Sequence, residues 1–299
     1  MIYTVTFNPS VDYVMHAAAI ETGIVNRSDG EEMYFGGKGI NVSVVLNELG
    51  LRSKALGFVA GFTGNAIETG IQQLGIETDF VHLKEGLSRI NVKIKSEDET
   101  EINAQGPFID SEAVQELFQK LEALKDGDTI VLAGSIPKSI PENIYEKILE
   151  FLSGRKIRAV VDAEKKLLKN TLKYRPFLIK PNELELGQLF GKKIETEEEI
   201  IESALKLQDM GALNVLVSMG SKGAILVDEN KNVHNALPYS GKVKNSVGAG
   251  DSMIAGFLTG LERNGYEYAL RMGNAAGAAT AFSDGLAQKD KILSLLNEK

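Results

Sequence analysis

Cysteine is absent from the chain, which excludes disulfide bridges, thiolate metal sites and a thiol nucleophile, although it does not by itself fix a compartment. Histidine is scarce: His16, His82 and His234 stand far apart in no metal-binding spacing and read as solvated or structural. Excess positive charge is missing too. At a net charge of −8 the chain offers nothing to a polyanion, so nucleic acid is not an expected partner, and any phosphate must be met by locally placed cations. No run approaches the ~18 apolar residues of a membrane span, and Met1-Ile2-Tyr3-Thr4-Val5-Thr6-Phe7 lacks the basic start and unbroken apolar stretch of a secretion signal. No membrane association is expected, and the cytoplasm is the expected location. Internal repeats, low-complexity segments and interdomain linkers are also missing.

What is present is 299 residues, 43% hydrophobic and 25% charged, enough to bury a substantial core. Strand-like and helix-like patterns alternate. Residues 2–7 read as a strand stopped by Asn8-Pro9-Ser10, with Asp12 just beyond it; Gly36-Gly37-Lys38-Gly39 then opens a helix that Gly50 closes. A strand at 54–60, a helix at 65–74 and an extended piece near 78–83 follow. The alternating segments 89–95 and 100–105 flank a charged turn and predict a hairpin, with Arg89 and Asn91 on one side, as are Lys93 and Lys95. After Pro107 the alternation resumes, with helices at 111–125 and 141–153, and strands at 129–133 and 157–161, the latter ending at Asp162. A strand at 177–180 delivers Lys180-Pro181-Asn182-Glu183-Leu184-Glu185, which could equally cap a helix or serve phosphate and metal. A strand at 213–218 leads into Met219-Gly220-Ser221-Lys222-Gly223 and two more extended segments, and helical patterns fill 250–262, 266–282 and 289–297. The pattern predicts one α/β domain over 1–299, with a small β insertion built from roughly 12–35 and 88–106 that projects as a lid.

The stretch 245–257 carries the densest chemistry. Gly248, Ala249 and Gly250 bring backbone N–H groups to a helix start, where an anion is favoured, and Asp251 follows at once. An acid beside an anion cradle suggests a base next to a phosphate, although aspartate is also an ordinary residue at a helix start. Lys38 at another glycine-rich helix entrance would add an ammonium to the same kind of anion site. It is not a Walker loop, since Gly39 follows where Ser or Thr is required.

Gly36-Gly37-Lys38-Gly39-Ile40-Asn41, Lys180-Pro181-Asn182-x-x-Glu185 and Val247-Gly248-Ala249-Gly250-Asp251-Ser252 occur in that order. Together they resemble the PfkB (ribokinase-like) family of sugar kinases; the last motif is highly specific, and the resemblance covers essentially the whole chain. It implies a ribokinase-like three-layer αβα fold with a mostly parallel central sheet and a small β-sheet lid. It also implies that Asp251 is the general base, that Gly248, Ala249 and Gly250 form the anion hole, and that Asp12, Gly37, Asn41 and Asn91 hold the sugar while Lys38 and Arg89 grip a phosphate already on it. Lys180, Asn182, Ser218, Gly220, Ser221, Lys222 and Gly223 would serve the nucleotide, Asn274 would lie near its base, and Glu185 would organise Mg²⁺ through water. The implied reaction is transfer of phosphate from ATP to a sugar phosphate. The opening strand, the block 36–42 and Arg89-Ile90-Asn91-Val92-Lys93 have the character of relatives acting on D-fructose 1-phosphate, with tagatose 6-phosphate as the alternative acceptor. A non-catalytic sugar-phosphate-binding regulator is the alternative of another class, which the intact Asp251 and Glu185 argue against. Many relatives carry an acidic residue and a threonine where Asn245 and Val247 stand, so the resemblance does not extend to a monovalent-cation site. An exposed lid edge and the habit of the family imply a homodimer formed through the lid.

Overall fold

The computed structural model describes residues 1–163 and 165–298; Glu164 and Lys299 lie outside them. The chain opens with β1 (Ile2–Thr6), β2 (Ser10–His16) and β3 (Gly30–Gly36), followed by α1 (Lys38–Glu48), β4 (Ser53–Ala60), α2 (Gly61–Gln73), β5 (Glu77–Thr78) and β6 (Val81–Leu83). The hairpin β7 (Arg89–Lys95) and β8 (Glu99–Asn103) interrupts, and α3 (Ser111–Leu121), β9 (Thr129–Ala133), α4 (Ile144–Phe151), β10 (Arg158–Asp162) and α5 (Lys165–Thr171) restore the alternation. Next come β11 (Leu178–Ile179), α6 (Glu183–Phe190), α7 (Glu197–Asp209), β12 (Asn214–Ser218), β13 (Ala224–Val227), β14 (Val233–Ala236), α8 (Ala249–Ala281) and α9 (Lys289–Asn297). The two helical patterns expected at 250–262 and 266–282 run into one another as α8, with a break in the helical backbone at Asn264 and Gly265.

The central sheet has the order β14-β13-β12-β11-β10-β9-β1-β4-β5, with β6 also on β4. It is parallel apart from the antiparallel β12–β13–β14 end. Its strands are nearly continuous apolar runs because both faces are covered. Successive side chains go to opposite faces: Ile130 and Leu132 of β9 enter the core shared with α3, α4, α6 and α7, whereas Val131 and Ala133 enter the core shared with α1, α8 and α9. The result is the expected three layers.

The chain begins in the middle of this sheet. From β1 it moves outward to β4 and β5, then returns to β9 on the other side of β1 and continues to β12. The carboxyl ends of β1 and β9 therefore flank the point where the strand order reverses, which is where open α/β sheets leave a crevice for ligands.

A second sheet, ordered β3-β2-β7-β8, forms the lid. Asp12, which follows the first strand and opens the expected β insertion, lies within β2. The parallel register sets Ser10 beside Arg89 and Asp12 beside Asn91, so Asp12 joins the polar row of Arg89, Asn91, Lys93 and Lys95 on one face. The opposite face is apolar and partly open to solvent, with Tyr13, Met33, Ile90 and Ile102 36%, 56%, 39% and 61% exposed. Because that face is not packed into the main core, residues 13–35 show no clean buried-strand pattern in sequence.

Candidate active site

A cleft of about 470 Å³ occupies the reversal point. Asn8 follows β1, Gly134 and Ser135 follow β9, Asp162 ends β10, Lys38 begins α1, and Arg89 reaches in from the lid. Residues remote in sequence meet here because parallel strands all point their carboxyl ends the same way.

At the floor is a carboxylate that the sequence did not single out as functional. Asp162 is 3% exposed and takes Lys38 Nζ on Oδ2 at 2.9 Å and Lys180 Nζ on Oδ1 at 3.3 Å. Burial by itself pushes the Asp162 carboxyl up, but Lys180 and Lys38 together hold it below the usual range. Lys38 shows the converse: burial pulls its ammonium down, and Asp162, then Asp251, carry it above the ordinary lysine value. The only sequence signal for Asp162 was a lone carboxylate closing an otherwise apolar strand.

Asp251 lies in the first turn of α8 and is 4% exposed. Its Oδ2 accepts Asn41 Nδ2 at 2.8 Å, and no side chain caps this helix start. The ordinary capping role is therefore not the one it plays. Burial, with the charge of Asp162 behind it, pushes the Asp251 carboxyl up to about 6, while Asn41, Lys38 and Lys180 pull the other way. A carboxylate tuned there can take a proton near neutral pH.

Gly248 takes the left-handed conformation (φ 79°), and an added Cβ would come within 2.6 Å of Leu286 Cδ2. At Gly250 a Cβ would meet Lys180 Nζ at 2.9 Å, so this ammonium stands directly against the glycine turn. The first amides of a helix have no intrahelical partners; here Ala249 N–H makes a turn bond to the Ser246 carbonyl at 3.3 Å. Gly37, at the entrance to α1, lines the cleft beside Lys38.

On the lid, Asp12 Oδ1 accepts Ser10 Oγ at 2.7 Å and Asn91 Nδ2 at 2.9 Å, and Lys93 Nζ stands 3.7 Å from Oδ2. Arg89 Nε donates to the Asn8 carbonyl at 3.0 Å, which aims the guanidinium along the cleft. Burial lowers its pKa, against the charge of Asp12.

The remaining sequence candidates gather beyond Lys180. Asn182 and Glu185 form a reciprocal capping box on α6: Asn182 Oδ1 accepts Glu185 N–H, and Glu185 Oε2 accepts Asn182 N–H, each at 2.8 Å. Ser218 bridges to Asn182. Gly220, Ser221 and Lys222 make a single 3₁₀ turn, Lys222 Nζ pairs with Glu183 Oε1 at 2.9 Å, and Gly223 packs against the Ala236 carbonyl. Asn274, 5% exposed, donates to the Leu237 carbonyl at 2.8 Å and takes no part in the Asp162 network. Among the described residues no group of three His, Asp or Glu side chains could enclose a metal ion. Glu185 has one oxygen committed to its capping box, so its donor set fits a hydrated Mg²⁺ held mainly by another ligand.

Residues 5–291 match the pfkB family carbohydrate kinase. The chain is 47% identical over 299 residues to a 1-phosphofructokinase of Bacillus subtilis, covering 100% of this chain and 98% of that one. It is 40% identical to a D-tagatose-1-phosphate kinase of Bacillus licheniformis over 98% of this chain and 96% of that protein. The crystal structure of phosphofructokinase-2 from Escherichia coli in complex with substrates and products superposes with a TM-score of 0.92 at 26% identity, covering 99% of this chain and 98% of the other. With Asp251, Lys180 and Lys38 drawn around one carboxylate at the crevice of a ribokinase-like sheet, and likeness extending over the full length, the chain belongs to the pfkB family of carbohydrate kinases.

Proposed function

We propose that the chain transfers the γ-phosphoryl group of ATP to the C6 hydroxyl of D-fructose 1-phosphate, giving ADP and fructose 1,6-bisphosphate. The observation that carries this reading is Asp251: a buried carboxyl poised near pH 6, with Lys180 at the adjoining glycine turn and Lys38 leading to the Arg89 cleft. In the proposed reaction the C6 oxygen attacks the γ-phosphorus, its proton passes to Asp251, and the bond to the ADP oxygen breaks. Phosphoryl transfer chiefly needs positioning and charge stabilisation. The Gly248–Gly250 turn and Lys180 would face the γ-phosphoryl group. Asp12, Gly37, Asn41 and Asn91 would hold the sugar, and Lys38 and Arg89 its phosphate. Asn182, Ser218, Gly220, Ser221, Lys222 and Gly223 would line the nucleotide phosphates, with Asn274 on the side of the base. Mg²⁺ would sit on those phosphates, with Glu185 reaching its waters, and would neutralise charge there. The lid would exclude water, which otherwise competes as acceptor.

The relatives' names leave one close competitor. D-Tagatose 1-phosphate keeps the phosphate at the same end and differs from D-fructose 1-phosphate in configuration at C4, whereas tagatose 6-phosphate carries it at the other end. The test is a panel of these sugars, fructose 6-phosphate and free fructose, compared by kcat/KM; preference for any other acceptor would overturn the substrate assignment. Lys38→Ala or Arg89→Ala is expected to raise KM for the sugar phosphate roughly 10–100-fold, the worth of a charged hydrogen bond, with little change in KM for ATP. Equal effects on both would remove the clamp.

The apolar lid face carrying Tyr13, Met33, Ile90 and Ile102 supports a homodimer joined lid to lid, with its partly exposed apolar side chains covered. Light scattering that finds only monomer would refute it. The proposed compartment is the cytoplasm, to be checked by fractionation; among the described residues no helix is long and apolar enough to cross a membrane.

A further inference from the structure

We infer that Tyr145 is a positioning residue for the phosphate carried by the sugar: its hydroxyl fixes the Gly134–Ser135 peptide so that Ser135 N–H faces the cleft holding Lys38 and Arg89. This rests on the sugar-phosphate reading above.

Tyr145 lies in the first turn of α4 and is fully buried, among the largest side chains of the core beneath the sheet. Its ring packs on Phe7 at 5.6 Å between centroids. A buried hydroxyl needs a partner, and this one donates to the Gly134 carbonyl at 2.9 Å. Burial, reinforced by the charge of Asp162, pushes the phenol up, so it remains a donor throughout the working pH range.

The receiving peptide is the one that follows β9 at the crevice. Gly134 has φ 102°, open to glycine at little cost, and its own N–H is tied to the Asp162 carbonyl at 3.3 Å. In a trans peptide the C=O and the next N–H point in opposite directions. With the Gly134 oxygen drawn down into the core by Tyr145, Ser135 N–H is turned up, toward the cleft wall where Lys38 passes; a Cβ on Gly134 would lie 3.7 Å from Lys38 Cβ. A backbone donor, an ammonium and a guanidinium then bound one space, a donor set suited to a phosphate monoester. Without the hydroxyl the peptide could rotate, and its carbonyl would oppose the same anion.

The test is Tyr145→Phe, which keeps the ring and its packing. KM for fructose 1-phosphate is expected to rise about 5–10-fold, the scale of one hydrogen bond, while KM for ATP and kcat stay within about twofold. Ser135→Pro, which deletes the N–H itself on an exposed loop, should reproduce the same split, and Ser135→Ala should not. Unphosphorylated fructose should show no penalty from Tyr145→Phe. If Tyr145→Phe lowers Tm but leaves KM for the sugar phosphate unchanged, or raises both KM values equally, Tyr145 only fills the core and the inference is overturned. Failure of the wild type to phosphorylate fructose 1-phosphate would instead count against the substrate assignment, and the comparison is then made with whichever phosphorylated sugar it does accept.

Discussion

Asp251→Asn is expected to keep the fold and substrate binding while turnover falls by roughly 10²–10⁴-fold, the range for losing a general base. Asparagine preserves the shape and can still meet Asn41, so the loss isolates proton transfer. Single-turnover kinetics with both KM values is the measurement, and near-normal turnover would end the base assignment. The pH dependence follows from the same group. Burial raises the Asp251 carboxyl to about 6, so kcat should decline as pH falls through that value and the group gains a proton. Stability runs the other way. A carboxyl whose folded pKa is raised contributes stability that is full below its unfolded pKa and lost as pH rises through the folded one. From 3.8 to about 6, the buried carboxylate costs on the order of 3 kcal/mol at pH 8. Asp251→Asn should therefore melt higher than the wild type at pH 8, with the gap closing near pH 4. A site that is costly to the fold and needed for turnover is the expected signature of catalytic use.

Asp162→Ala is expected to destabilise on the order of 3–5 kcal/mol, the cost of removing one partner from a buried ion pair. Lys180, 6% exposed, would be left without its carboxylate, and Lys38 would lose the contact that holds it at 2.9 Å. Urea unfolding midpoints measure this. Because Asp162 is held below its ordinary pKa, its contribution is present above the unfolded value and disappears as pH falls, so wild type and variant should converge in acid. Asp162→Asn gives a second readout. Asp162 is one of the charges raising Asp251, so its neutralisation should move the acid limb of kcat to lower pH. An unmoved limb would mean that the two carboxylates are not coupled.

Much of the fold was legible because local chemistry and tertiary demand agreed. The strand at 129–133 was read at its observed bounds, since a parallel strand covered on both faces must be apolar throughout. The helix start at 182 likewise carries the capping residues offered by the sequence, and Asn182 and Glu185 form a capping box in the structure. The lid was legible in its second hairpin, where β7 alternates sharply, and obscure in its first, where β2 and β3 enclose a long loop.

For the site, sequence alone determined the parts: an acid following a glycine turn, lysines at glycine-rich entrances and a polar row on a hairpin. It could not determine what Asp251 does, because capping and proton transfer use the same residue at the same helix position. Only the tertiary structure supplies what favours the second use: burial and the charge of Asp162 raise the carboxyl, against the pull of Asn41, Lys38 and Lys180. It also brought Asp162 to two lysines 124 and 18 positions away along the chain. Burial and long-range charge depend on which strands become neighbours, and strand order belongs to the whole sheet rather than to any stretch of sequence.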